Sequence, residues 1–319
     1  MSTVPAAVHA WMPRSPCDAG CLPQDPPLVS GLVRALRWSA LVIVGLIWLG
    51  ASLVAIALPV MRPHVHRRAA RWVLRCCGVR LRVQGGRSWA PRGEAVLVVG
   101  EHVSWLDALA LPAVQPVRLV SRADVEHWPL VGVAARRGRT VFVERERLRA
   151  LPAVVADVAA ALRSGRSIAV FAEGTTWCGT AHGSFRPAMF QAAIDAGVPV
   201  LPVSLRYLLV DGSSTTAPAF VGAETFVQGL RRLLRLRGVV LEVTLLPAEH
   251  PGVDRRELAT RCTAAVAALR RVELPPMRVC APGHERSTSA SGVHSDERTI
   301  TRAPHGSRTR PSQPSRVAG

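Results

Sequence analysis

Between Glu101 and Leu111 the chain reads EHVSWLDALAL, with an imidazole at His102 and a carboxylate at Asp107. A carboxylate that accepts a hydrogen bond from one ring nitrogen fixes the tautomer and leaves the other nitrogen basic, as a general base requires. Taken alone this spacing is weak, and an ordinary surface pair is the better reading of it. Its place in the chain says more. AVLVVG (95–100) reads as a buried strand ending at Gly100, which puts His102 in the following turn and Asp107 in the first turn of the next helix. At such a junction the side chains of a buried sheet reach solvent.

The elements around this junction alternate. VRLVS (117–121), TVFV (140–143), SIAVFA (167–172), PVLPVSL (199–205) and VVLEVTLL (239–246) are further buried strands by their short apolar runs. LPAVVADVAAALRSG (151–165) and PAMFQAAIDAG (187–197) are helices that end on glycine, and VDRRELATRCTAAVAALRRV (253–272) is a last amphipathic helix. The fold class is α/β, a mixed sheet flanked by helices over 76–273. From Leu274 to Gly319, Pro, Ser, Thr, Gly and Arg dominate without periodicity, which reads as a disordered basic tail.

In front of the sheet, Trp38 to Met61 carries no charge. As a helix this run spans roughly 36 Å, enough to cross a hydrocarbon core of about 30 Å. A polar leader over 1–33, expected to be disordered, and the absence of a convincing cleavage motif argue against a signal peptide. Full span and interfacial insertion both remain open. Arg62, Arg67, Arg68, Arg71, Arg75, Arg80 and Arg82 follow the run, within a segment 34–75 and just beyond it, and outnumber the arginines before it. That asymmetry places the main domain at the cytoplasmic side of the inner membrane and suits an anionic membrane surface.

The net charge is +18, and all 40 basic residues are arginine. Without lysine there is no Walker phosphate lysine, no Schiff-base lysine and no kinase ion-pair lysine. With 5% aromatics and no recognition motif, no nucleic-acid partner is expected. The seven cysteines lack paired CxxC spacing, so neither a disulfide framework nor a metal site is expected; Cys17 and Cys21 belong to the leader, and Cys178 reads as a small loop filler. Ser104 reads as a turn or cap residue, and no G-x-S-x-G elbow marks a serine nucleophile.

Four blocks occur in order across 95–206: His102–Asp107 as H-x4-D; RGRTVFVER, a strand leading into Arg145; VFAEGTTWCG, with Glu173 and Gly174; and VPVLPVSL with Pro199 and Pro202. In these blocks the chain resembles the glycerolipid acyltransferase family, which includes bacterial 1-acylglycerol-3-phosphate acyltransferases. The resemblance implies acyl transfer from acyl-CoA or acyl carrier protein to a lysophospholipid hydroxyl, with His102 as general base, Asp107 as its partner, no acyl-enzyme and no cofactor beyond the thioester co-substrate. It further implies that Arg145 holds an anionic part of a substrate and that Glu173, Gly174, Thr175 and Thr176 form the acceptor block.

Two positions depart from the family pattern. Ala172 stands where proline is usual, and Thr176 where phosphatidate-forming members often carry arginine. Arg186 in GSFRP is the basic residue expected to compensate. Lysophosphatidate is therefore the first expectation for the acceptor, and a lyso-ornithine lipid or another lysolipid the second. A catalytically inactive membrane scaffold is the reading from a different class, opposed by the presence of His102, Asp107 and Glu173.

Overall fold

The computed structural model describes residues 12–86, 90 and 94–273. Among these, seven strands form one sheet: β1 (Val79–Gln84), β2 (Leu97–Gly100), β3 (Arg118–Arg122), β4 (Val141–Val143), β5 (Ile168–Phe171), β6 (Val200–Leu209) and β7 (Val239–Leu245). Their spatial order is β1-β7-β6-β2-β5-β3-β4. β2 lies near the middle, parallel to both β5 and β6, with β3 and β4 continuing in parallel beyond β5. β7 pairs antiparallel with β6, and β1 runs parallel to β7, so the sheet is mixed as expected.

The helices are α1 (Gly31–Ala57), α2 (Arg62–Cys76), α3 (Asp107–Val114), α4 (Val131–Arg137), α5 (Leu151–Arg163), α6 (Phe190–Ala196), α7 (Phe226–Leu233) and α8 (Arg255–Glu273). β2 reads LVVG without alternation because both faces of the sheet are covered. Val98 packs in one cluster with Leu74 of α2 and Leu111 of α3, while Leu97 and Val99 pack in another with Val158 and Leu162 of α5, Phe190 of α6 and Leu258 of α8. Each such fully buried side chain contributes roughly 1.5–3 kcal/mol. The core therefore grips β2 from both sides, and the turn after it starts from a rigid base. α6 ends on Gly197 in the left-handed region (φ 65°), which accounts for its glycine stop.

α1 begins at Gly31, seven residues before the uncharged run, because Ser30 caps it by accepting from the Val33 amide (3.4 Å). It is the one helix among the described residues long and apolar enough to cross a membrane. Val42, Ile43, Leu46, Ile47, Val54 and Ile56 are all exposed along it. α2 carries the juxtamembrane arginines, and two of them turn inward: Arg71 Nε and Arg67 Nε donate to the Ala113 carbonyl at the end of α3 (2.7 and 3.4 Å). Trp48 of α1 lies against His66 of α2 and beneath the Arg137 guanidinium of α4.

Two expectations need correcting. β1 was read as part of the basic stretch, yet VRLRVQ is a sheet-edge strand that buries Val79 and leaves its arginines at the margin. The leader is not loose from residue 12 onward. Leu28 bridges to Leu236, the Val29 amide donates to the Arg235 carbonyl, and Cys17 is buried in the core. The polar composition of 1–33 hid these few anchoring residues. Residues 1–11 and the tail 274–319 lie outside the described residues.

Candidate active site

The turn after β2 is built around a buried carboxylate. Asp107 opens α3 and is fully buried, and its Oδ2 accepts from the Val103 and Ser104 amides (2.7 and 2.8 Å). The same oxygen lies 3.0 Å from His102 Nδ1, and Tyr207 Oη donates to Oδ1 at 2.5 Å. With Nδ1–H directed at Asp107, Nε2 is the basic nitrogen of His102. The ring stacks on Phe171 at the end of β5, centroids 4.1 Å apart and planes 7° apart. Its side chain retains 19% exposure, so it is held yet reachable.

Tyr207 is the residue the four blocks did not single out. β6 continues past Val203, the partner of Gly100, and so carries Tyr207 beside the turn that follows β2. Burial first, and then the neighbouring Asp107 carboxylate, raise its phenol well above the ordinary value, so Tyr207 stays a proton donor. The available signal was that this is the chain's single tyrosine, standing at the end of the fourth block's strand, VPVLPVSLRY (198–207).

Glu173 lies in the loop after β5. It is buried, and both its oxygens are occupied by backbone: Oε2 accepts from the His102 amide (2.7 Å) and Oε1 from the Gly183 amide (2.8 Å). It braces the turn after β2 against the loop after β5. Burial, followed by the charge of Glu101, pushes its carboxyl up to about 8. The His102 carbonyl is held in turn by the Trp177 amide (2.7 Å), so the backbone of this residue is tied on both sides.

Glu101, the residue before the base, forms a second buried centre. Ser204 Oγ donates to its Oε2 (3.1 Å), and His182 Nδ1 and Arg270 Nη1 approach Oε1 at 3.0 and 3.2 Å. Burial alone raises this carboxyl; His182, Arg270 and Ser204 outweigh it and hold it below the ordinary range.

Arg145 follows β4. Burial, and next the charge of Arg122, push its guanidinium down to about 10, while Arg186 adds to the repulsion and Asp124 and Glu146 oppose it. Glu144, one candidate for pairing with it, instead meets Arg147 at 3.0 Å. Arg186 is thus close enough to Arg145 for their charges to repel, with Arg122, Asp124 and Glu146 in the same surroundings. Gly174 has φ 78°, and a Cβ there would fall 2.8 Å from Pro13 and 3.4 Å from Arg186 Cδ, so the position requires glycine. Thr175 and Thr176 are half-buried in the same loop. Ser104 Oγ is buried and accepts from the Leu106 amide (3.4 Å), which confirms its turn role. The carboxyl ends of β2, β4 and β5 therefore deliver His102, Arg145 and Glu173 to one end of the sheet, where parallel α/β sheets place their ligands.

Residues 80–206 match the acyltransferase family. The chain is 35% identical to the lyso-ornithine lipid O-acyltransferase of Pseudomonas aeruginosa over 74% of its own length and 91% of that protein's. It is a member of the glycerolipid acyltransferase family. The acyltransferase is also 34% identical to the 1-acyl-sn-glycerol-3-phosphate acyltransferase of Neisseria gonorrhoeae, across 50% of this chain and 62% of that one. A crystal structure of the 1-acyl-sn-glycerophosphate acyltransferase of Thermotoga maritima aligns with a TM-score of 0.48 and 18% identity, covering 76% of the acyltransferase and all of the other chain.

Proposed function

We propose that this acyltransferase moves a fatty acyl group from acyl-CoA or acyl carrier protein to the hydroxyl of a lysolipid at the cytoplasmic face of the inner membrane. The observation that carries the reading is the chain Tyr207–Asp107–His102, which presents Nε2 as a base from a fixed backbone. His102 Nε2 takes the acceptor hydroxyl proton as that oxygen attacks the thioester carbonyl. Asp107 stabilises the imidazolium that forms. When the tetrahedral intermediate collapses, the C–S bond breaks and the departing thiolate receives the proton from His102. A thioester is already an activated acyl donor, so this route draws on no resident cofactor. Arg145, with Arg186 beside it, holds the anionic part of the acceptor by charge-assisted hydrogen bonds.

For the acceptor, a lyso-ornithine lipid is favoured. Proteins named for that reaction match along most of their length, 91% in Pseudomonas aeruginosa and 92% in Rhodobacter capsulatus. Thr176 also supplies no guanidinium for a phosphate dianion. Lysophosphatidate is the second reading, favoured by the convergence of two arginines. Purified enzyme offered lyso-ornithine lipid, lysophosphatidate and lysophosphatidylglycerol with one acyl donor separates them. We expect the highest kcat/KM with lyso-ornithine lipid, and Thr176→Arg to shift preference towards lysophosphatidate. A wild-type preference for lysophosphatidate reverses the assignment. Absence of transfer to all three, with acyl-CoA and with acyl carrier protein, favours a scaffold.

A further inference from the structure

Three sulfur atoms meet beside the active-site loop. Cys17, Cys21 and Cys178 hold their Sγ atoms within 4.8 Å of one another. Cys178 belongs to the loop after β5, whereas the other two come from the irregular segment ahead of α1, 161 residues away along the chain in the case of Cys17. A short 3-10 turn over Ala19–Cys21 separates Cys17 from Cys21, and Asp18 fixes it by accepting from the Gly20 amide (2.8 Å). That turn brings two residues four apart onto one side.

We propose that Cys17, Cys21 and Cys178 bind a thiophilic d10 cation, zinc in the first instance, which fastens the segment preceding α1 onto the acceptor loop. The donor set is all sulfur, which selects zinc-like ions over magnesium or calcium. Zn–S bonds of about 2.3 Å put tetrahedral sulfurs about 3.8 Å apart, inside the 4.8 Å within which the three Sγ atoms already lie. Two of the ligands are sheltered from solvent, Cys17 at 5% exposure and Cys178 at 0%. Backbone amides point at both: Cys178 N donates to Cys17 Sγ (3.3 Å) and Ala181 N to Cys178 Sγ (3.4 Å), an arrangement that supports thiolate charge. The fourth position goes to water or to the Thr180 hydroxyl, 2.9 Å from Cys178 Sγ.

The place of the cluster gives the ion its role. Trp177, next to Cys178, donates its amide to the His102 carbonyl, and Pro13 packs where a Gly174 side chain would stand. Thr216 Oγ1 holds the Cys21 carbonyl at 2.7 Å. An ion here fixes the loop that carries Gly174 and braces the base; it touches no reacting atom.

The test uses full-length protein in detergent, purified under reducing conditions without a polyhistidine tag from zinc-replete cells. Elemental analysis should give about one zinc per chain, and Cys17→Ser, Cys21→Ser and Cys178→Ser should each lower occupancy about tenfold or more, while Cys76→Ser keeps it. Should the variants misfold, the wild type still decides. Cobalt exchange should produce a thiolate-to-metal charge-transfer band, and alkylation mapped by mass spectrometry should modify Cys17, Cys21 and Cys178 only after chelation. Wild-type protein without bound metal and without the cobalt band overturns the proposal. So does a triple serine variant that retains its metal, or a disulfide joining any two of the three in protein purified without reductant.

Discussion

A histidine works as a base only when something decides which nitrogen carries its proton, and here that decision falls to a carboxylate with no exposure to water. His102→Ala should therefore lower kcat by about 10²–10⁴-fold while membrane association is unchanged, as read by turnover and by fractionation. Asp107→Asn should cost most of the activity as well, because the amide presents a donor where four donors now converge. Tyr207→Phe is the finer probe. Loss of a hydrogen bond to a charged group costs about 1.5–3 kcal/mol, so the expected result is a lower melting temperature and a reduced kcat, with the acceptor KM nearly unchanged. A raised KM at constant kcat would instead put Tyr207 on the substrate. His102 and Asp107 were legible in sequence because they sit five positions apart at one strand end. Tyr207 was not, because its partner lies 100 residues away and no local pattern records that contact. Glu173 was found by its motif, but its two backbone contacts were not, since sequence cannot show that the His102 and Gly183 amides meet its oxygens.

At the scale of elements, the site is a set of turns fastened to three adjacent strands. β2 leads to His102, β5 to Glu173 as the brace, and β6 carries the Tyr207 phenol. The strands were legible because burial on both faces leaves unbroken apolar runs; β1 was missed because edge exposure let arginine alternate with its buried positions. The brace also has a measurable pH signature. Glu173 binds its proton up to about 8 when folded, against an ordinary carboxyl value of 4.5, so between these values the folded chain holds more protons than the unfolded one. Its contribution to stability is full below 4.5, declines as pH rises through the window, and is lost above about 8. Melting temperature measured from pH 5 to pH 9 should fall accordingly, and Glu173→Gln should flatten that slope while lowering stability at pH 5, since one amide loses its acceptor. An equal slope in both proteins would assign the effect to another group.

Over the whole molecule, the catalytic end of the sheet is tied to a helix whose outer side is apolar. Leu46 and Val54 are 65% and 58% exposed, an apolar surface that suits a lipid environment. Leu46→Arg combined with Val54→Arg should oppose insertion by about 5–7 kcal/mol and move the protein out of carbonate-washed membranes. The Tyr207–Asp107–His102 chain lies on other elements, so detergent-solubilised variant protein should keep its kcat. The uncharged run made α1 legible, but its attachment to the domain was not, because that depends on Arg37 donating to the Leu234 and Leu236 carbonyls across nearly the full fold.

That last contact sets an order of events during synthesis. Arg37 waits for a carbonyl 199 residues further along, and Cys17 for an amide 161 residues further along. At about 5–20 residues per second, a ribosome needs roughly 10–40 s to deliver the first of these partners after the anchor has emerged. The helix is complete before the surface that clasps its start exists, so the segment ahead of α1 closes onto the domain late. The loop after β5 gains its Pro13 backing only at that step, so this part of the candidate site matures after the sheet that carries it.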